Sequence, residues 1–161
     1  MKTLIIIRHA NSIHQGLYES DFERTLSHKG EKEAILMTEK LSIKINSIDL
    51  FLCSPSFRTK QTCDIFFKKY ERAEIKYEEK LYHASASTIY NIIEKTDESF
   101  HTVALISHNP GITDFVNSLT DIKIDTMPTS GVFVVQTNLD TWKQFENSEK
   151  TFFYFGYPNK L

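Results

Sequence analysis

The fold turns on Leu4-Ile5-Ile6-Ile7-Arg8-His9. Four consecutive apolar residues, three of them β-branched, read as a strand covered on both faces, because a half-solvated strand would alternate polar and apolar positions. Arg8 and His9 then stand where that strand ends. The same stretch does not read as a secretory leader. Arg8-His9 cuts the apolar run short, and no small-residue cleavage site follows.

Two further stretches repeat the pattern. Ile48 to Cys53 reads as a strand that Ser54-Pro55-Ser56 breaks, with Phe57-Arg58 opening a helix that runs to about Tyr70. Thr102 to Ser107 reads as another buried strand, followed by His108-Asn109-Pro110-Gly111, where Asn109 is expected as the N-cap and Pro110 as the first residue of a helix to about Leu119. After a polar loop from Asn11 to Leu26, Ser27 is expected to cap a helix to about Ile45, with Ala34, Met37, Leu41 and Ile45 on one face. Ile75 to Tyr77 reads as a third strand, Thr88 to Lys95 as a short helix, and Gly131 to Thr137 and Thr151 to Tyr157 as closing strands. Strands and helices thus alternate until two final strands. That order predicts a three-layer α/β sandwich around a mostly parallel sheet.

Composition agrees with one globular domain over residues 1–161. The chain has 161 residues, 40% of them hydrophobic and 25% charged, enough to bury a core without staples. Nineteen Lys and Arg against 21 Asp and Glu give a net charge of −2, which offers no general reason to expect nucleic-acid binding. No apolar run reaches the 18 or so residues that a membrane span requires, so no membrane association is expected. Cys53 and Cys63 make no disulfide framework and read as reduced core thiols, consistent with a cytoplasmic location. His14, His28, His83 and His101 show no metal-ligand spacing, and neither His-Glu-x-x-His nor Cys-x-x-Cys occurs. No metal or cofactor is expected.

Open α/β sheets bind ligands beyond the carboxyl ends of their strands. Three strand ends deliver Arg8, His9, Arg58 and His108 to one edge. Alone, each has an ordinary structural reading; together they make a cationic site. Arg58 falls in the first turn of its helix, where the dipole disfavours a cation unless an anion is bound. The two helix starts beside it attract anions through free N–H groups. Guanidinium forks suit phosphate, so phosphate or sulfate is the expected ligand. Nearby positive charge keeps an imidazole neutral, and a neutral imidazole is a nucleophile. Attack on phosphorus would give a phosphohistidine enzyme intermediate, with the arginines and the second histidine stabilising charge on the phosphoryl oxygens and no metal required.

These stretches resemble the histidine phosphatase superfamily, the phosphoglycerate-mutase-like group. Arg8-His9-Ala10 is similar to its Arg-His-Gly/Ala signature. Ser54-Pro55-Ser56-Phe57-Arg58-Thr59-Lys60-Gln61-Thr62 is similar to its Ser-Pro-x-x-Arg-x-x-Gln-Thr motif, and Ser107-His108-Asn109-Pro110-Gly111 resembles its third. Asp21 to Leu26, Leu81-Tyr82-His83-Ala84-Ser85, Pro128-Thr129-Ser130-Gly131 and Tyr157-Pro158 look like its small SixA-type phosphohistidine phosphatase branch. The resemblance implies that His9 is the nucleophile, that Arg8 and Arg58 bind the phosphoryl group, that His108 stabilises it, and that no capping insertion covers the site. Ser12 and Asn109 are further candidate phosphate ligands. Arg24 has two readings, reaching the phosphate site or pairing with Glu23, and the pair is the expected one. The proton donor is open among Asp21, Glu78, Glu79, His83 or none. Asn11 and His14 stand where related proteins often carry Lys and Trp, a departure at the rim of the site.

The expected activity is therefore hydrolysis of phosphohistidine on a protein. An imidazole leaving group departs more readily than an alkoxide, which lessens the need for a strong acid. By resemblance the partner would be a histidine-containing phosphocarrier acting in signal transduction, and the enzyme a monomer. The alternatives are a phosphatase for a small phosphomonoester or nucleotide, and a phosphate-recognition module without turnover.

Overall fold

A computed structural model describes residues 1–14, 16 and 20–158. Residues 15 and 17–19, inside the loop expected over 11–26, and residues 159–161, at the end of the expected domain, lie outside the described set. Six strands form one sheet in the order β3-β2-β4-β1-β5-β6. They are β1 (Lys2–Arg8), β2 (Leu50–Cys53), β3 (Glu74–Tyr77), β4 (Thr102–Ser107), β5 (Val132–Thr137) and β6 (Thr151–Gly156). Strands β3, β2, β4 and β1 pair in parallel, and β5 and β6 add antiparallel. The helices are α1 (His28–Lys44), α2 (Phe57–Phe67), α3 (Ala86–Glu94) and α4 (Gly111–Leu119).

The β-branched run in β1 has the environment that its composition demands. Strand β1 lies between β4 and β5. Leu4 and Ile6 join the core under α3 and α4, with Leu105, Phe115 and Phe133. Ile5 and Ile7 join the opposite core under α1 and α2, with Met37, Leu41, Phe51 and Phe66. All four are essentially inaccessible, so no position along the run tolerates a polar residue. The two cores on opposite faces make the sandwich three-layered, with its mostly parallel sheet in the middle. Cys53 and Cys63 are both buried in the α1/α2 core, where burial pushes the Cys53 thiol well above its ordinary range.

Ser27 caps α1 by accepting from the Gly30 N–H, and Ala34, Met37, Leu41 and Ile45 line its buried side. Helix α2 ends at Phe67, three residues before Tyr70, where the chain turns to reach β3. One cap needs correction. Asn109 is not the N-cap of α4; Pro110 occupies that position and the helix begins at Gly111. The Asn109 amide is committed elsewhere. It accepts from the Thr113 hydroxyl at 2.7 Å and donates to the Met127 carbonyl at 3.0 Å, tying α4 to the loop before β5.

Candidate active site

Strands β1, β2 and β4 run parallel in register, Arg8 beside Ser107 and Cys53 beside Ile106, so their carboxyl ends open at one edge. A cavity of ≈ 670 Å³ lies there, lined by Arg8, His9, Asp21, Arg24, Arg58 and His108, with Ser12, His83, Asn109 and Thr129 among its further walls.

Residues of the second motif that do not line the cavity hold this edge together. Ser56 caps α2, accepting from the Thr59 N–H. The Thr59 hydroxyl donates to the Ser54 carbonyl at 2.6 Å. The Thr62 hydroxyl donates to the Arg58 carbonyl at 2.8 Å and accepts from the Ala10 N–H at 3.0 Å. Gln61 accepts from the Leu26 N–H at 2.8 Å. The start of α2 is thereby bolted to the chain after β1, and Arg58 to His9.

Both imidazoles have an assignable tautomer. His9 Nδ1 lies 2.8 Å from the Ala10 carbonyl, which can only accept, so Nδ1 carries the proton and Nε2 is bare. Arg58 Nε points at that bare nitrogen from 3.4 Å. His108 is the reverse. Arg58 Nη2, which can only donate, faces Nδ1 at 3.2 Å, and Nε2 therefore donates to the Ser54 hydroxyl at 2.7 Å. Burial first, then Arg58, Arg8 and Arg24, push His9 down to about 3, against the Ala10 carbonyl, which raises it. Burial, His9, Arg58 and His83 push His108 down to about 2, against Asp21. Both rings are neutral at ordinary pH, and His9 presents a free lone pair inside a cationic pocket.

Arg8 donates from Nη1 to the Met127 carbonyl at 2.9 Å, while its Nε is buried without a partner. Arg24 is not paired with Glu23. It donates to Asp21 Oδ1 at 3.1 Å and to the Ser12 hydroxyl at 2.8 Å, while Glu23 accepts from the Ser20 hydroxyl. The short turn over Asp21–Glu23 swings Arg24 inward, which adds a third guanidinium to the cavity.

Asp21 is in the site, but as a holder of cations. Its carbonyl accepts from Arg58 Nη1 at 2.7 Å, and its Oδ2 accepts from Arg58 Nη2 at 3.1 Å and from the Tyr82 hydroxyl at 2.6 Å. Burial acts to raise this carboxyl, but Tyr82, Arg24 and Arg58 outweigh it and hold it well below the usual carboxylate range. An ionised carboxylate so engaged positions its neighbours and has no proton to give. Glu78 pairs with Lys76 at 3.9 Å and lines a separate groove under β2 and β3; neither it nor Glu79 lines the site. Asn109 lines the cavity with both amide atoms engaged, and Ser12 with its hydroxyl on Arg24.

Tyr82, His83 and Thr129 lie in stretches singled out above by likeness to the SixA-type branch, and His83 is one of the open proton-donor candidates; of the three, His83 and Thr129 line the cavity and Tyr82 stands behind it on Asp21. A second signal for Tyr82 and His83, independent of that likeness, is β3, a weak four-residue strand whose carboxyl end also opens at this edge. Among the described residues, no group of three or more His, Cys, Asp or Glu is placed to hold a metal ion, and no helix is long and apolar enough to cross a membrane.

Residues 4–100 match the model of the histidine phosphatase superfamily, branch 1. An uncharacterised protein of Mycobacterium leprae is 28% identical over 152 residues, covering 87% of this chain and 92% of its own length. Among solved structures, a candidate SixA phosphohistidine phosphatase from Agrobacterium tumefaciens superposes with a TM-score of 0.81 at 23% identity, covering 98% of this chain and 99% of that one. The protein histidine phosphatase SixA in complex with tungstate superposes with a TM-score of 0.81 at 22% identity, over 97% of each chain. At these identities the structural likeness is one of fold.

Proposed function

The chain belongs to the histidine phosphatase superfamily, and from that premise we propose that it hydrolyses phosphohistidine on a protein by way of a phosphoryl group carried on His9. The observation that carries this reading is the bare Nε2 of His9, set among Arg8, Arg24 and Arg58 in a cavity open to solvent.

In the proposed reaction Nε2 attacks phosphorus, forming an N–P bond as the bond to the leaving atom breaks. The arginines bind the equatorial oxygens, and neutral His108 packs beside them and holds Arg58 Nη2 in place through Nδ1. Water then attacks the phosphoryl group on His9 and releases inorganic phosphate. Among the described residues, three guanidiniums and one carboxylate line the cavity, an excess of positive charge suited to a phosphoryl dianion. In this reading residues 1–161 form one domain with no capping insertion.

A protein substrate is supported by the cavity mouth. Ile13, on the cavity wall, and Phe57, at the start of α2, are exposed apolar residues beside a charged pocket, and Phe57 packs edge-on against Phe22. The names of the SixA proteins point the same way for those proteins. A small phosphomonoester is the second reading, favoured by a cavity of ≈ 670 Å³, ample for a small ligand.

The test is phosphate release from a phosphohistidine-bearing protein in EDTA, comparing wild type with His9→Ala. Release by wild type alone is the expected result. Release by both removes His9 as nucleophile. Release by neither, with turnover of small esters, moves the assignment to the second reading; binding with no turnover of either makes the chain a phosphate-recognition module.

A further inference from the structure

We propose that His83 is the general acid of this site, oriented by Asp21; this rests on the phosphatase reading above. His83 lines the same cavity as His9, Arg58 and His108. Its Nε2 stands 3.4 Å from Asp21 Oδ2, its ring lies against Tyr82 at 4.1 Å, and its centroid is 5.5 Å from that of His108, which is itself 5.4 Å from His9. These distances put His83 within reach of a phosphoryl group bound between His9 and His108.

The backbone shows that this placement is imposed. His83 has φ of 55°, in the left-handed region that non-glycine residues avoid. Such strain persists only where surrounding structure enforces it, and it recurs at functional sites. Here the enforcement is visible. The Leu81 carbonyl accepts from the Ser107 hydroxyl at 2.8 Å and from the Ala84 N–H at 3.3 Å. On the other side, the Ala84 carbonyl sits where a side chain on Gly111 would be, so only glycine lets α4 approach this turn. The turn fixes an imidazole over the cavity with its side chain 55% exposed, open to solvent for reprotonation.

The other groups there are spent. Asp21 is ionised, the Tyr82 hydroxyl donates to Asp21, and His108 donates to Ser54. His14 lines the cavity too and is the competing donor. The Asp21 carboxylate beside Nε2 sets which way the ring turns, the arrangement in which a carboxylate orients a catalytic histidine. With Nε2 on Asp21, Nδ1 is the nitrogen left to donate. As His9 Nε2 bonds to phosphorus, the leaving atom takes the His83 proton and departs neutral. Neutral His83 then takes a proton from the water that attacks the phosphoryl-His9 bond, which restores both histidines and yields phosphate.

The test compares kcat/KM on p-nitrophenyl phosphate, whose leaving group needs no proton, and on phosphoserine, whose alkoxide does. Asparagine tolerates the left-handed backbone, so His83→Asn keeps the turn. His83→Asn is expected to lower kcat/KM for phosphoserine about a hundredfold and kcat/KM for p-nitrophenyl phosphate by less than about threefold, because kcat/KM ends at departure of the leaving group, with His14→Asn lowering neither selectively. Equal loss on both substrates, a selective loss in His14→Asn instead, or a wild type that hydrolyses p-nitrophenyl phosphate but no phosphoserine at all would each overturn the proposal. Wild type inert towards both esters and a phosphohistidine protein overturns the phosphatase reading and this assignment together.

Discussion

His9 and His108 face each other with ring centroids 5.4 Å apart and opposite tautomers, and Arg58 donates to the bare nitrogen of each. One guanidinium thus holds both imidazoles in place. The arrangement also answers the dipole conflict of a cation in the first turn of α2. Asp21, with two acceptors on Arg58, supplies the negative charge until a phosphoryl group arrives.

Replacing the nucleophile should separate chemistry from folding. His9→Ala is expected to lower phosphate release at least about a thousandfold, as loss of a covalent nucleophile does. Near-native circular dichroism and a cooperative thermal transition are expected to remain. Retained turnover would move the nucleophile elsewhere.

Arg58→Gln is expected to lower kcat/KM about 10²- to 10³-fold, since it removes charge from the phosphoryl oxygens and the contact to both imidazoles. Steady-state phosphate release checks this; a loss under about tenfold would place Arg58 outside the reaction.

Stability should fall on acidification through a window that the histidines set. Both are held far below 6.5, His9 to about 3 and His108 to about 2. The unfolded chain therefore binds protons near pH 6.5 that the folded chain refuses, so the stabilisation is complete above 6.5 and is lost as pH falls towards 3. The slope is up to about 1.4 kcal/mol per pH unit for each ring. Asp21, also lowered, adds a loss of the same sign below its ordinary 3.8. Urea midpoints between pH 7.5 and 5 read the histidine part. His9→Ala should flatten that curve, and an identical slope in the variant would contradict the assignment.

Gly111→Ala should act at a distance. Its new methyl would meet the Ala84 carbonyl, which belongs to the turn that carries His83. A destabilisation of about 2 kcal/mol or more is expected, as for overpacking against backbone, together with selective loss of phosphoserine turnover. Unchanged thermal stability would mean that α4 can move away without cost.

The layers of the fold and the four residues at the centre of the site were legible in one dimension. Leu4 to Ile7 demanded cover on both faces, and β1 between two cores provides it. Arg8, His9, Arg58 and His108 stand at or just past the ends of three strong strands, and parallel strands gather the residues at their carboxyl ends along one edge. The Ser27 cap was legible because one side chain and one N–H three residues on make it. The remaining features needed the folded chain, because they depend on contacts between distant segments. Arg24 chose Asp21 over its neighbour Glu23 once a short turn swung it inward. Asn109 gave up its cap for Thr113 and Met127. Asp21 became a holder of cations because Arg58, Arg24 and Tyr82 converge on it from three places in the chain. His83 entered the site through a left-handed turn that Ser107 and Gly111 enforce from β4 and α4. Strand periodicity is local, so the order of residues alone preserves it. The charge state and partners of a side chain are set by whatever the fold brings within a few ångströms of it.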